Sequence, residues 1–119
     1  MANPNLTNLT SMYGKTAVAQ LTTGSTTLIS NVVASGELVK INSLIVSNVD
    51  GLASAEVNAW ILRSAVAYNI ASTITVPNDA TLVLISKDTS IYLEEGDSLQ
   101  LSAGTTGDLE VVCSYELIS

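Results

Sequence analysis

The sequence predicts an all-β fold, a single antiparallel β-sandwich of about eight strands with an extended N-terminal arm. From residue 15 onward, the apolar residues fall into short runs separated by Gly, Asn, Asp and Ser. Ser, Thr and Asn, which suit strands and turns better than helices, fill most of the polar positions. The length of 119 residues suits one domain with one core. We therefore expect an arm over residues 1–14 and one sandwich domain over residues 15–119, with jelly-roll and immunoglobulin-like connections both open.

The predicted arm contains the sequence Asn-Leu-Thr twice, after Pro4, and shows no sustained periodicity. A polar segment of this kind buries too little apolar surface to fold alone, but it can order against a neighbouring protein. We therefore predict that residues 1–14 are extended and available for contact.

Eight runs are expected to form the strands: residues 15–22, 26–33, 37–48, 54–62, 65–75, 81–86, 90–103 and 108–118. The third run ends near Asp50-Gly51, which is a strong turn signal, and the fifth ends before Pro77, which has no N–H for a ladder. The seventh is predicted to be a hairpin, with residues 91–93 and 98–101 joined through 94–97. The Ala-rich segment 63–72 has a helical alternative, but its alternation of large and small side chains favours a strand.

Alternation also predicts which side chains face the core. In the last run the inward face carries Val111, Cys113, Tyr115 and Leu117, whereas acids mark the outer face. In the run 54–62, Trp60 and Leu62 fall on the otherwise polar face. Trp60 either folds back over the sheet or inserts into a neighbouring subunit, and we favour the interface because Trp is enriched at interface hot spots.

The composition argues against an enzyme. The chain has no histidine, which excludes Ser-His-Asp and Cys-His arrangements. Lys15, Lys40 and Lys87 lie in segments without a nucleophile motif. Cys113, the only cysteine, is expected to be a small buried hydrophobe. We predict no catalytic residue and no cofactor.

An acidic cluster of Glu94, Glu95 and Asp97, with Asp88 just upstream, is the one candidate for a metal site. Carboxylates are ligands that Ca²⁺ prefers, but the cluster lacks the position-by-position pattern of a calcium loop. We interpret it as a solvated turn that uses Gly96 for its backbone angle, and we predict no metal.

The charge balance and the hydropathy restrict the partners. Eleven acidic residues against four basic ones give a net charge of -7, which opposes the phosphate neutralisation that drives nucleic-acid binding. No apolar run reaches the roughly 18 residues that a membrane span needs, and no signal-peptide pattern opens the chain. We expect a soluble protein made in a cytosol, with neither nucleic acid nor membrane as partner.

Four segments carry a family resemblance: VKINSLIVSNVDG at 39–51, LISKDTSIYLEEGDSL at 84–99, LEVVCSYE at 109–116, and the start, MANPN with YGKT at 13–16. Together they resemble small virion structural proteins of tailed phages that infect marine cyanobacteria. The resemblance implies a β-sandwich that is present in many copies on the particle and needs no cofactor. It further implies a capsid decoration or cement protein, located in the virion after synthesis in the host cytoplasm.

The expected partners are other copies of the chain, with a trimer as the first guess, and other virion proteins such as the major capsid protein. The residues expected at the interface are Trp60, Leu62, Asn5, Leu6, Leu9 and Tyr13. The alternative is a tail, neck or fibre component that binds a carbohydrate or receptor, with Trp60 or Tyr68 as a stacking platform.

Overall fold

A computed structural model describes residues 4–119. These residues form an all-β protein of two packed antiparallel sheets, which confirms the predicted sandwich. The strands are β1 Met12–Gln20, β2 Thr26–Ser30, β3 Leu38–Asn48, β4 Ala55–Arg63, β5 Val66–Val76, β6 Thr81–Ile85, β7 Ile91–Leu93, β8 Ser98–Ala103 and β9 Leu109–Ile118. The only helical element among the described residues is a single 3₁₀ turn at Lys87–Thr89.

The first sheet, sheet A, has the strand order β1-β9-β3-β6, and β7 also pairs with β3 beside β6. The second sheet, sheet B, has the order β2-β8-β4-β5. Six of the eight connections between the described strands pass from one sheet to the other; only β4–β5 and β6–β7 stay within a sheet.

The core lies between the inner faces of the two sheets and is almost entirely aliphatic. It is built by alternate residues of the central strands, such as Leu44 and Val46 of β3, Val57 of β4, and Leu99 and Leu101 of β8, all fully buried. Burying each such side chain contributes about 1.5–3 kcal/mol to folding. The inward face predicted for the last run is confirmed, with Val111 and Cys113 buried and Tyr115 and Leu117 packed against the core.

The predicted hairpin over residues 90–103 is wrong. β7 pairs with β3 in sheet A, whereas β8 lies between β2 and β4 in sheet B. The four residues between them therefore carry the chain across the sandwich, and Gly96 adopts the positive φ of 90° that this corner requires. The physical reason is burial, because Leu93 and Leu99 both reach the core, from opposite sheets.

The segment before the sandwich is shorter than predicted. β1 begins at Met12, which pairs with Ile118, so residues 12–14 belong to the sheet. Residues 4–11 contain no strand or helix and end beside Ser119, whose carbonyl accepts the N–H groups of Thr10 (2.7 Å) and Ser11 (2.9 Å). Residues 1–3 of the predicted arm lie outside the described residues.

The helical alternative for residues 63–72 is wrong, because this segment ends β4 and forms most of β5. β4 and β5 are joined by Ser64 and Ala65, both with positive φ (52° and 63°). Two positive φ values are the requirement of a type I′ turn, whose twist matches that of the strands it joins. Neither residue is a glycine, so the turn is strained.

Two buried asparagines stabilise the loops at opposite ends of β3. Asn31, after β2, donates from Nδ2 to the carbonyls of Glu37 and Leu93 (both 2.9 Å). Asn48, the last residue of β3, donates from Nδ2 to the carbonyls of Ala53 (3.0 Å) and Val76 (2.9 Å). Each side chain thereby satisfies backbone groups that the loops leave without a ladder partner.

Candidate functional site

A row of aliphatic side chains lies on the outer face of sheet A. Val18 of β1 pairs with Val112 of β9, which pairs with Ile45 of β3, which in turn pairs with Val83 of β6. The exposed fractions of Val18, Val83 and Val112 are 69%, 55% and 43%. We call these four residues the apolar row, and it crosses every strand of the β1-β9-β3-β6 order.

Polar rows border the apolar row on both sides. On one side, in register across the sheet, are Gln20, Glu110, Ser47 and Thr81. On the other side are Thr16, Ser114 and Ser43. A shallow depression of about 390 Å³ lies beside Val18 and Val112. An exposed apolar patch with a polar rim is typical of a protein interaction surface.

Trp60 lies on the outer face of sheet B and is half-buried. Its indole N–H donates to Oε1 of Gln100 (3.0 Å), and Nε2 of Gln100 donates to the hydroxyl of Thr27 (3.0 Å). This chain of hydrogen bonds follows the register of β4, β8 and β2. The indole is therefore held against its own sheet, and Leu62 beside it is also half-buried.

The predicted interface residues of the arm lie in varied surroundings. Leu6 and Tyr13 are exposed, and Leu9 is half-buried. Oδ1 of Asn5 accepts the N–H (3.0 Å) and the hydroxyl (2.8 Å) of Thr7, so this side chain closes a local turn. Asn5, Leu6 and Leu9 precede β1, and Tyr13 lies on β1 at the edge of sheet A, whereas Trp60 and Leu62 lie on β4 of sheet B. The six residues therefore do not share one sheet face.

A second concave feature opens between the β4–β5 hairpin of sheet B and β7 of sheet A. It is a groove of about 450 Å³ lined by Ile61, Arg63, Tyr68, Ile91 and Tyr92. The two tyrosines are exposed, whereas the two isoleucines are half-buried against the core. We call this feature the tyrosine groove.

The acidic cluster lies beside the tyrosine groove and is held by a cation. Nε of Arg63 donates to Oδ1 of Asp97 (2.7 Å), and Nη2 donates to Oδ2 of Asp97 and to Oε2 of Glu94 (2.9 Å). The hydrogen bonds and the charge of buried Asp97 raise the pKa of Arg63 above its usual value. Both carboxylate oxygens of Glu95 are buried without a hydrogen-bond partner among residues 4–119. No group of three or more metal-ligating side chains is present within that range.

Cys113 lies in the core, as predicted. Desolvation raises the pKa of its thiol to about 12, so the thiolate is not populated near neutral pH. Cys113 is a fully buried free cysteine and packs as a small hydrophobe in the core.

Comparison with protein-family models and with curated proteins finds no match for this chain. Within the described part of the chain, no helix has the length and apolar character that crossing a membrane demands.

The apolar row was missed by reasoning from the sequence. Alternation correctly places Val112 on the outer face of β9, among acids and serines. The alignment of Val112 with Val18, Ile45 and Val83 depends on the register of four strands that are far apart in sequence. A signal was nevertheless present in three of the strands, since Val18, Ile45 and Val112 each lie between two polar residues at alternate positions of the sequence.

Proposed function

We propose that this chain is a non-enzymatic structural subunit of a tailed-phage particle, a capsid decoration or cement protein. The observation that carries the proposal is the apolar row with its polar borders, a surface suited to burial against another protein. The resemblance to small virion proteins of phages that infect marine cyanobacteria supports a location in a phage particle. The repeated crossing between sheets agrees with the double Greek key of jelly rolls, which capsid proteins use.

The mechanism is stabilisation by assembly. Symmetric contacts between copies, and contacts with the major capsid protein, bury apolar surface that a free subunit exposes. Each Å² of apolar surface removed from water contributes about 25 cal/mol, and occupancy of the shell then follows mass action. A cyclic trimer is the first expectation for the homo-oligomer. We rank the apolar row above Trp60 and Leu62 as the contact surface because the row is more exposed.

The test compares Val112→Lys with Val49→Lys by light scattering and by co-sedimentation with emptied phage capsids. Val112 is the second residue of the apolar row, whereas Val49 is an exposed valine in the loop after β3. We expect the wild-type chain and V49K to self-associate and co-sediment, and V112K to remain folded but lose both properties. A wild-type chain that is strictly monomeric and never co-sediments would refute the proposal.

The second candidate is a tail, neck or fibre component that binds a carbohydrate or receptor. The observation that favours it is the tyrosine groove, which contains the exposed ring of Tyr68. Trp60 is less suited to this role, because its indole is half-buried and hydrogen-bonded to Gln100.

A further inference from the structure

We propose that the tyrosine groove is a binding site for a neutral saccharide. Its volume of about 450 Å³ falls in the range of small-ligand sites, roughly 300–1,000 Å³. The site is distinct from the apolar row, since the groove lies between the sheets and the row lies on the outer face of sheet A. The inference therefore holds whether or not the chain is a capsid protein.

The first argument is the chemistry of the lining. Tyr68 of β5 and Tyr92 of β7 come from different sheets, and their exposed fractions are 59% and 41%. A tyrosine ring offers an apolar face and a hydroxyl that donates and accepts hydrogen bonds. A pyranose has matching parts, an apolar face of C–H groups and a rim of hydroxyls. Ile61 and Ile91 add apolar surface beneath the same opening.

The second argument is charge. One guanidinium, that of Arg63, faces two carboxylates, those of Glu94 and Asp97, in a chain with a net charge of -7. Lys40 is the backbone register partner of Tyr92 on one side and of Glu116 on the other, so this second cation also has a carboxylate on the neighbouring strand, although the two side chains form no ion pair among residues 4–119. An anionic ligand would therefore meet repulsion, whereas a neutral polyhydroxylated ligand would not.

The third argument is that the polar groups are already in place. Arg63 uses Nε and Nη2 for its carboxylate partners, and its Nη1 makes no hydrogen bond within residues 4–119. Nη1 therefore supplies a donor at the groove, whose lining includes Arg63. Because Asp97 is buried and holds the guanidinium through two nitrogens, these groups are pre-organised, which lowers the cost of binding.

The experiment is a titration of the ¹⁵N-labelled full chain, followed by NMR, with methyl glucoside, methyl galactoside, methyl mannoside and cellobiose. Glucuronic acid serves as the anionic comparison. We expect shifts confined to the residues around the tyrosine groove for at least one neutral sugar, and at least tenfold weaker binding of glucuronic acid. No shift at the groove with any neutral sugar at millimolar concentration would overturn the proposal, and so would equal binding of glucuronic acid.

Variants separate the groove from the rest of the surface. Tyr68→Ala and Tyr92→Ala are each expected to weaken binding about tenfold or more, as for a central aromatic contact. Tyr13→Ala is the matched control, because Tyr13 is 60% exposed and lies on β1, outside the groove lining. Equal losses in all three variants would overturn the proposal. V112K should bind the sugar like the wild type, so failure of the assembly role and failure of this site remain distinguishable.

Discussion

Replacing Asn48 by alanine should be among the most destabilising changes in the loops. The side chain is buried, its Nδ2 donates to the carbonyls of Ala53 and Val76, and its Oδ1 accepts the N–H of Asp50 (2.9 Å). Asn48→Ala removes three hydrogen bonds and leaves their backbone partners without a replacement. At about 1 kcal/mol for each bond, the free energy of unfolding should fall by about 3 kcal/mol. For a domain of this size the melting temperature should fall by about 10 °C.

The assay is urea unfolding followed by circular dichroism and by the fluorescence of Trp60. Asn78→Ala is the control, since exposed Asn78 makes one side-chain bond, to the carbonyl of Gly51 (3.2 Å), and its loss should cost under about 0.5 kcal/mol. Asn48→Asp should be at least as harmful as Asn48→Ala, because a carboxylate would then face two carbonyl oxygens. A loss below about 1 kcal/mol for Asn48→Ala would refute this account of the loops.

Three further predictions concern the hairpin, the core and the ion pair. Ala65→Gly should raise the free energy of unfolding by about 0.5–1 kcal/mol in thermal melts, because glycine tolerates the positive φ; a loss of stability would show that the turn is not strained. Because burial raises the pKa of Cys113 from about 9 to about 12, the neutral thiol contributes its full share of stability below pH 9. That contribution is lost as the pH rises from 9 toward 12. Stability of the wild type should therefore fall more steeply than that of Cys113→Ala in this window, by up to about 1.4 kcal/mol per pH unit, and parallel curves would contradict the prediction. Arg63→Met should cost about 1–2 kcal/mol in urea unfolding, because buried Asp97 loses its cation, and no change would show that the ion pair does not stabilise the fold.

The strands could be predicted from the sequence because each is a short alternating run with a turn signal beside it. Val111 and Cys113 illustrate this, since alternation alone places them in the core. Register and sheet membership could not be predicted in the same way. The link 94–97 has the length of a hairpin loop and a glycine, so local sequence does not distinguish a hairpin from a corner between two sheets.

For the candidate sites, too, the sequence predicts the face on which a residue lies but not its neighbours on other strands. Trp60 was singled out because it is the only tryptophan and lies on a polar face, and that placement is correct. Its hydrogen bond to Gln100, forty residues later in the chain, depends on β4 lying beside β8. Predicting the tyrosine groove requires the packing of the two sheets as well as their strand order, because Tyr68 and Tyr92 come together only when the sheets pack.

The place of β9 in sheet A has a consequence for how the protein is made. β9 is the last of the described strands to be synthesised, yet it lies between β1 and β3, and among residues 4–119 it is the only strand with which β1 pairs. A nascent chain that lacks β9 cannot assemble this sheet, so β1 stays without its partner until synthesis of the domain is complete. Formation of sheet A therefore depends on contacts between segments that are far apart in sequence, and topologies of this kind typically fold slowly, in about milliseconds to seconds.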